Sequence, residues 1–328
     1  MKRLGVLTSG GDAPGTNACI RAVVRIALSH SLEVIGIRRG YAGLMEGEVE
    51  PLHGRFVGGI SHRGGTILQT ARTEKFKTVA GQQQALRNLR EHNIDGLVII
   101  GGDGSLAGAL RLHEEGFPVA GVPATIDNDV CFTDMALGVD TAMNTALQAI
   151  DKIKDTATSH RRAFLVETMG RDSGYLALMV GMASAAEAIV IPEVPASCAE
   201  ILELMKEAHN KGKAHFIIVI AEGAEPDCHT IGEYLRDREQ ELGFGVRTSI
   251  LGYIQRGGSP TAFDRLLGTR LGAAAVEQLV QGNQGIMVGL IGNQVVATDL
   301  EKVVKGKEKV DLALYNLAQT LEVYPAVT

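Results

Sequence analysis

The sequence predicts an α/β fold, and three observations lead to it. Short apolar runs alternate with longer helical patterns along the chain, and forty glycines against nine prolines supply the tight turns such alternation needs. Third, residues 99–129, IIGGDGSLAGALRLHEEGFPVAGVPATIDND, spell out a βαβ unit. Its strands, 96–100 and 119–122, both end in small-residue turns, so the connection brings Asp103 and Asp127 to one sheet edge, where open α/β sheets bind ligands. Gly101, Gly102 and Gly104 let a phosphate approach the N–H groups that open the next helix. By its residues alone, this stretch is a candidate magnesium-nucleotide site beside a catalytic base.

At 328 residues the chain is about two domains long, and 45% hydrophobic with 21% charged residues is an ordinary globular composition. A formal charge of −6 supplies no broad basic face, which argues against nucleic acid as a partner. The N-terminal MKRLGVLTSGG reads as a first strand and not as a signal peptide. No apolar run approaches the roughly 18 residues of a membrane helix, so no membrane partner is expected. Cys19, Cys131, Cys198 and Cys228 are scattered without CxxC spacing, as free thiols of a reducing, cytoplasmic compartment would be.

In chain order, residues 4–8 form a buried strand, followed by SGGDAPGTN and a helix over 18–28. That order suits either a structural turn or a phosphate loop at Gly10 and Gly11, since the spacing matches neither GxGxxG nor the P-loop pattern. Arg21 and Arg25 share one helix face, as a solvated face also would. A second strand spans 33–38, with a turn at 40–43 carrying Tyr41. Residues 62–72, HRGGTILQTAR, form a glycine-rich loop between arginines, a pattern suited to anions, and 82–92 is a polar helix leading into the central unit.

Beyond Asp129, a helix over 141–153 leads to a polar turn at 155–162, then a strand at 163–168 runs into MGRDSG and a helix at 175–185. The strand, glycine turn and helix of the N-terminus thus recur, and the chain reads as two similar α/β halves. A strand at 188–191, a helix at 198–210 and a strand at 216–221 continue the alternation. Lys211, Lys213 and His215 precede that last strand, and Glu222 stands at its carboxyl end. An acidic, solvent-facing helix over 225–241, a strand over 247–254 and the turn QRGGSPTAFDR follow. A helix at 266–280, a strand at 285–291 and a helix at 312–321 close the chain.

Seven segments, SGGDAPGTNACIR, HRGGTIL, GGDGS, TIDND, DTATSH, MGR and QRGGSPTAFDR, together resemble the bacterial ATP-dependent 6-phosphofructokinase family, over essentially the whole chain. GGDG also occurs in lipid and NAD kinases, so TIDND and MGR discriminate. The resemblance implies two similar three-layer α/β domains with the active site in the cleft between them. Residues 1–138 and 260–308 would bind the nucleotide, and 139–259 and 309–328 the sugar phosphate. It also implies a homotetramer whose neighbouring subunits complete the substrate and effector sites. The reaction implied is Mg2+-dependent transfer of the γ-phosphoryl of ATP to the 1-hydroxyl of fructose 6-phosphate, the committed step of glycolysis.

By that resemblance, Asp127 is the base and Asp103 holds the metal, roles that suit an ionised carboxylate and an oxygen ligand for a hard cation. Arg72 and Arg171 would stabilise the transferring phosphoryl group, Thr125 would contact it or the sugar hydroxyl, and Gly11 would offer N–H groups to the phosphates. Tyr41, Thr73, Phe76, Lys77, Gly102, Gly104, Ser105 and Gly108 fall at nucleotide positions. The sugar phosphate would use Ile126, Met169, Gly170, Arg171, Glu222, Arg247, Tyr253 and Arg256, with Arg162 reaching over from an adjacent subunit. Arg21, Arg25, Lys154, Ala185, Glu187, Lys211, Lys213 and His215 match an effector pocket for ADP or phosphoenolpyruvate.

The chain departs from the family pattern at several places. Tyr253 replaces a histidine, so it can donate a hydrogen bond to phosphate but carries no positive charge. Ala124 stands where ATP enzymes have glycine and pyrophosphate enzymes have lysine. Gly104 stands where pyrophosphate users place an aspartate, and both positions favour ATP. In the effector set, Lys154 replaces an arginine, Ala185 a glycine and Gly59 an acidic residue, and a basic or polar residue near position 54 is Gly54, with Arg55 beside it. Two other readings remain: a pyrophosphate-dependent phosphofructokinase, and a non-enzymatic sugar-phosphate sensor on the same architecture.

Overall fold

The structure, a computed structural model, describes residues 1–306 and 310–322. The outer ends of the two ranges expected for the C-terminal pieces, 307–309 and 323–328, lie outside the described residues. The chain divides into two compact units, Met1–Thr141 with Arg256–Glu308 and Ala142–Gln255 with Lys309–Thr328.

The first unit is built on a seven-stranded sheet. Its strands are β1 (Arg3–Ser9), β2 (Glu33–Ile37), β3 (Val49–Leu52), β4 (Gly96–Gly101), β5 (Val119–Pro123), β10 (Ile286–Ile291) and β11 (Gln294–Asp299), in the order β11-β10-β5-β4-β1-β2-β3. The five inner strands run parallel, and β3 and β11 pair antiparallel at the edges. Successive side chains alternate faces, so each inner strand feeds two cores. Leu4, Val6, Val98, Ile100, Ala120 and Val122 pack against α1 (Thr16–Ser29) and α10 (Ala262–Val280). Leu7, Leu97, Ile99 and Val119 pack against α2 (Gly40–Glu46), α3 (Val79–Glu91), α4 (Asp103–Glu114) and α11 (Leu300–Lys305). Helices α1 and α10 approach closely because Gly268 and Gly272 have no side chain: a Cβ there would lie 2.7 Å from the Gly15 carbonyl oxygen and 2.6 Å from that of Cys19.

The second unit has a four-stranded parallel sheet in the order β7-β8-β6-β9: β6 (Arg162–Thr168), β7 (Ala188–Val190), β8 (Phe216–Ala221) and β9 (Gly245–Ile250). Its core joins these strands to α5 (Val139–His160), α6 (Tyr175–Ala183), α7 (Cys198–Asn210), α8 (Cys228–Arg236) and α12 (Leu312–Glu322). Both units are therefore of the α/β class, on sheets of different size, seven mixed strands in the first and four parallel strands in the second.

Several local expectations are corrected. Residues 40–43 open helix α2. The polar stretch 155–160 is the end of the 22-residue α5, not a turn. Its hydroxyls fold back onto the helix, with Thr158 Oγ1 donating to the Lys154 carbonyl (2.9 Å) and Ser159 Oγ to that of Asp155 (2.8 Å), so polarity does not break it. The acidic 225–241 stretch divides into α8 and α9 (Glu239–Leu242), and α8 buries Cys228, Ile231 and Leu235. The strand expected over 247–254 is β9 followed by a 3-10 turn, Gly252–Gln255. Strands β3 and β11 were not anticipated, although the Gly292–Asn293 pair between β10 and β11, both at positive φ, is a readable type I′ hairpin signal.

Candidate active site

In the first unit, β1 lies between β2 and β4, so the chain leaves β1 in one direction and returns on the other side. Loops that follow β1 and β4 at their carboxyl ends therefore diverge and leave a crevice between them, the place where open α/β sheets take ligands. Gly10 and Gly11 follow β1, Gly102 and Asp103 follow β4, and Ala124–Asp127 follows β5.

Asp103 begins α4 with an exposed carboxylate, where the helix dipole and unpaired N–H groups favour anions and metal-bound phosphates. A Cβ at Gly104 would meet no atom within 4 Å, so open space faces that position. Ser105 is buried, and its carbonyl accepts a hydrogen bond from the Tyr41 hydroxyl at 2.7 Å. Tyr41 stacks on Phe76 with ring centroids 3.9 Å apart, and both rings are buried. These two residues, expected at nucleotide positions, lie in the core beneath α4, and the Tyr41 ring fills the space a side chain at Gly108 would need. Lys77 is exposed and pairs with Glu74 at 2.8 Å, Thr73 is half-buried, and Arg72 is exposed.

The loop after β1 is knitted to its neighbours by polar side chains. Asn17 Nδ2 donates to the Arg63 carbonyl (3.0 Å) while its Oδ1 accepts from Ile67 N–H (2.8 Å), and Thr70 Oγ1 donates to the Gly10 carbonyl (2.7 Å). Arg256 lies directly on Gly11: its Nη1 occupies the place of the missing Cβ, 1.9 Å from that ideal position. Arg256, expected on the sugar phosphate, thus sits in the first unit against the glycine expected on the nucleotide phosphates.

Two helix N-termini cap each other beside these loops. The Asp264 carboxylate, wholly buried, accepts from Gly138 N–H (2.9 Å), Thr141 N–H (2.8 Å) and Thr141 Oγ1 (2.5 Å) in the first turn of α5. In return Thr261 N–H donates to Thr141 Oγ1 at 3.1 Å, and Thr261 Oγ1 caps α10 by accepting from Asp264 N–H. Burial raises the Asp264 pKa above the usual carboxylate range, against the lowering by these bonds. Neither Asn17 nor Asp264 was singled out as a functional residue, though both lie inside quoted motifs.

Asp127 and Ile126 are 2% exposed, and Thr125 is also buried. Asp127 N–H donates to Thr125 Oγ1 at 3.1 Å, fixing the turn that carries the carboxylate.

In the second unit, Met169, Gly170 and Arg171 follow β6, and Glu222 follows β8. Three consecutive amides of that turn are held by side chains: Met169 N–H donates to Gln255 Oε1 (2.9 Å), and Gly170 and Arg171 N–H donate to Glu222 Oε1 (3.1 and 2.7 Å). Glu222 therefore shapes the turn as well as offering its second oxygen, and Gln255, fully buried, is a further residue the sequence reading passed over. Arg171 is exposed at φ 50. Tyr253 is 81% exposed.

Arg162 is not brought to this group. It opens β6, and Thr168 closes the strand six residues later, a separation of about 20 Å. Arg247 lies near the same amino end, opposite Phe164 in the β6–β9 register, with its Nη1 3.7 Å from Glu239 Oε1. Arg247 thus accompanies Arg162 and not Met169 and Glu222.

Residues of the expected effector set cluster around the amino end of β8. Glu187 pairs with Lys213 at 2.7 Å, lies 3.9 Å from His215 Nε2 and accepts from Ile217 N–H at 2.5 Å. Lys154 donates to the Ser184 and Ala185 carbonyls, and Ala185 holds a left-handed φ of 47. Lys211 pairs with Glu207 at 2.6 Å. A cavity of about 490 Å³ beside them is lined by Glu187, Ile189, Val194, Leu204 and Lys213. Arg21 and Arg25 belong to α1 in the first unit, where Arg25 donates to the Gly54 carbonyl at 2.9 Å.

A family model described as phosphofructokinase matches residues 3–279. An ATP-dependent 6-phosphofructokinase of Thermotoga neapolitana is 51% identical over 322 residues, covering 98% of this chain and all of that protein. One of Bacillus subtilis is 50% identical over 323 residues, with the same coverage. Among solved structures, a phosphofructokinase of Saccharomyces cerevisiae matches 98% of this chain at 35% identity with a TM-score of 0.86, and this chain spans 48% of that longer one. A pyrophosphate-dependent phosphofructokinase of Marinobacter aquaeolei, 23% identical, shares the fold with a TM-score of 0.83 over 95% of this chain and 86% of its own.

Proposed function

The chain belongs to the phosphofructokinase family, and from that we infer that it is a kinase transferring the γ-phosphoryl group of ATP to fructose 6-phosphate, a phosphotransferase with an alcohol acceptor. The observation that carries this reading is identity of about half the residues, end to end, with ATP-dependent enzymes.

In such transfers positioning and charge neutralisation supply most of the rate. Asp127 takes the proton of the attacking 1-hydroxyl, and Thr125, bonded to the Asp127 amide, orients the turn. Arg72 and Arg171 stabilise the negative charge of the phosphoryl group in flight. Gly11 and the first turn of α4 receive the nucleotide phosphates. Among the described residues no three His, Cys, Asp or Glu side chains are grouped for a metal. Asp103 alone suits Mg2+, which binds through one or two carboxylates, phosphate oxygens and water, and the bound ion would neutralise phosphate charge.

Gly104 supports ATP as donor, since an aspartate at that position would oppose a nucleotide phosphate and glycine carries no charge or bulk there. Arg162 and Arg247, together at the amino end of the second sheet, serve the sugar-phosphate site of a neighbouring subunit in a homotetramer. The grouping of Lys154, Glu187, Lys213 and His215 supports an anionic effector, ADP or phosphoenolpyruvate, at the same assembly. Four free cysteines fit a reducing, cytoplasmic compartment, and no described helix is long and apolar enough to cross a membrane.

A coupled assay offering ATP and pyrophosphate separately, with fructose 6-phosphate and then a panel of other sugar phosphates, tests the reading. Turnover with ATP and little with pyrophosphate is expected. Equal or faster turnover with pyrophosphate would overturn the donor assignment, and binding of sugar phosphate without turnover would leave only a sensor.

A further inference from the structure

Asn128 follows Asp127 directly and is 6% exposed. Its φ of 48 is left-handed, a conformation that costs most residues about 1–2 kcal/mol and that Asn tolerates better than most. The chain thus reverses one residue after the carboxylate. Asn128 also uses both ends of its amide on the far limb of the same loop: Oδ1 accepts from Ala136 N–H at 2.9 Å, and Nδ2 donates to the Asp134 carbonyl at 3.2 Å. Two residues before Asp127, Thr125 N–H donates to the Leu137 carbonyl at 3.1 Å, beside an Ala124–Leu137 bridge. Leu137 N–H in turn donates to the Pro123 carbonyl, and the next amide, Gly138 N–H, ends on the buried Asp264 carboxylate.

Asp127 is therefore framed on both sides. Thr125 and the Leu137 limb hold its N-terminal side, and the Asn128 amide holds its C-terminal side. We propose that Asn128 is a positioning residue for Asp127: its left-handed backbone and two-ended amide clasp aim the carboxylate at the proton it removes. This rests on the reading of Asp127 as the base. General-base catalysis depends on a carboxylate held within hydrogen-bond reach of its proton, so a loosened clasp lowers the chemical step while leaving phosphate contacts in place.

The outer tie of the same loop provides a control. Asp134 Oδ2 accepts from Gly292 N–H at 2.7 Å, anchoring the loop to the β10–β11 hairpin through its side chain, whereas the clasp uses only the Asp134 backbone carbonyl.

The test compares four variants of the full chain by steady-state kinetics with ATP and fructose 6-phosphate and by thermal unfolding. Asp127→Asn establishes the base; if it keeps near-normal kcat, both the reading and the proposal fall. Asn128→Gly keeps the left-handed backbone and removes only the clasp, and is expected to lower kcat about 10-fold with both KM values within about threefold. Asn128→Ala removes both features and should lower kcat about 100-fold by the same logic. Asp134→Ala should lower the unfolding temperature with kcat within about twofold of the parent. A kcat for Asn128→Gly within about twofold of the parent, or a loss equalled by Asp134→Ala, would overturn the proposal, because loop stability and not aim would then be at stake. Should Asn128→Ala fail to fold, Asn128→Gly alone decides. A raised KM for fructose 6-phosphate with unchanged kcat would also overturn it, assigning Asn128 to binding.

Discussion

Asp127 is the residue whose loss discriminates most sharply among the readings of this chain. Asparagine is isosteric with aspartate and keeps the turn bond to Thr125, but it cannot accept a proton. We expect Asp127→Asn to lower kcat by about 100- to 10,000-fold with little change in either KM, measured in the coupled assay. A rise in KM with kcat intact would instead place the carboxylate in ground-state binding. Single residues also show what packing adds to the sequence. Tyr41 and Phe76, expected at nucleotide positions, stack on each other in the core beneath α4. Burial raises the Tyr41 pKa further above neutrality, and its hydroxyl serves as a donor to the Ser105 carbonyl. Which face a ring turns is decided by packing, and no spacing rule records it.

At the scale of elements, helix ends and strand ends carry most of the functional geometry. The turn between α6 and β7 contains Ala185 at φ 47, where a Cβ costs about 1–2 kcal/mol and glycine loses up to about 1 kcal/mol of that gain through the entropy of the unfolded chain. Ala185→Gly should therefore stabilise the protein by about 0.5 kcal/mol in denaturant unfolding, and a destabilised variant would refute the strain. Within β6, Glu167 has its pKa raised, first by burial and then by the charges of Glu222 and Asp227. A raised folded pKa means the folded state holds its proton more tightly, so stability falls as pH rises out of the ordinary carboxylate range and stays lowered above the folded value. Glu167→Gln removes that penalty. Its unfolding temperature should exceed the parent's by about 2 °C at neutral pH and converge with it in acid. A gap that widens on acidification would reverse the sign.

At the scale of the whole molecule, the prediction concerns assembly. Arg162 and Arg247 stand at one end of the second sheet and Met169 and Glu222 at the other, so within one unit they do not meet. If a neighbour supplies the arginines, mixing inactive Asp127→Asn subunits with inactive Arg162→Ala subunits should restore part of the activity, since some sites would then hold neither lesion. Verified mixed oligomers with no recovered activity would count against a shared site.

What the sequence by itself determined was the α/β class, most strand and helix positions, the seven motifs that place the chain in its family, and the two carboxylates at one sheet edge. These follow from periodicity and glycine turns, which are local properties that survive in one dimension. Only the tertiary structure decided that α5 runs through its hydroxyl-rich end, that Arg256 lies on Gly11, that Arg247 keeps company with Arg162, that Asp264 and Asn128 hold turns of the first unit, and that Gln255 holds one of the second. Each of those depends on partners far away in the chain or on the register between neighbouring strands. Burial and hydrogen bonding between distant segments set them, and neither quantity is written in a residue's immediate neighbours.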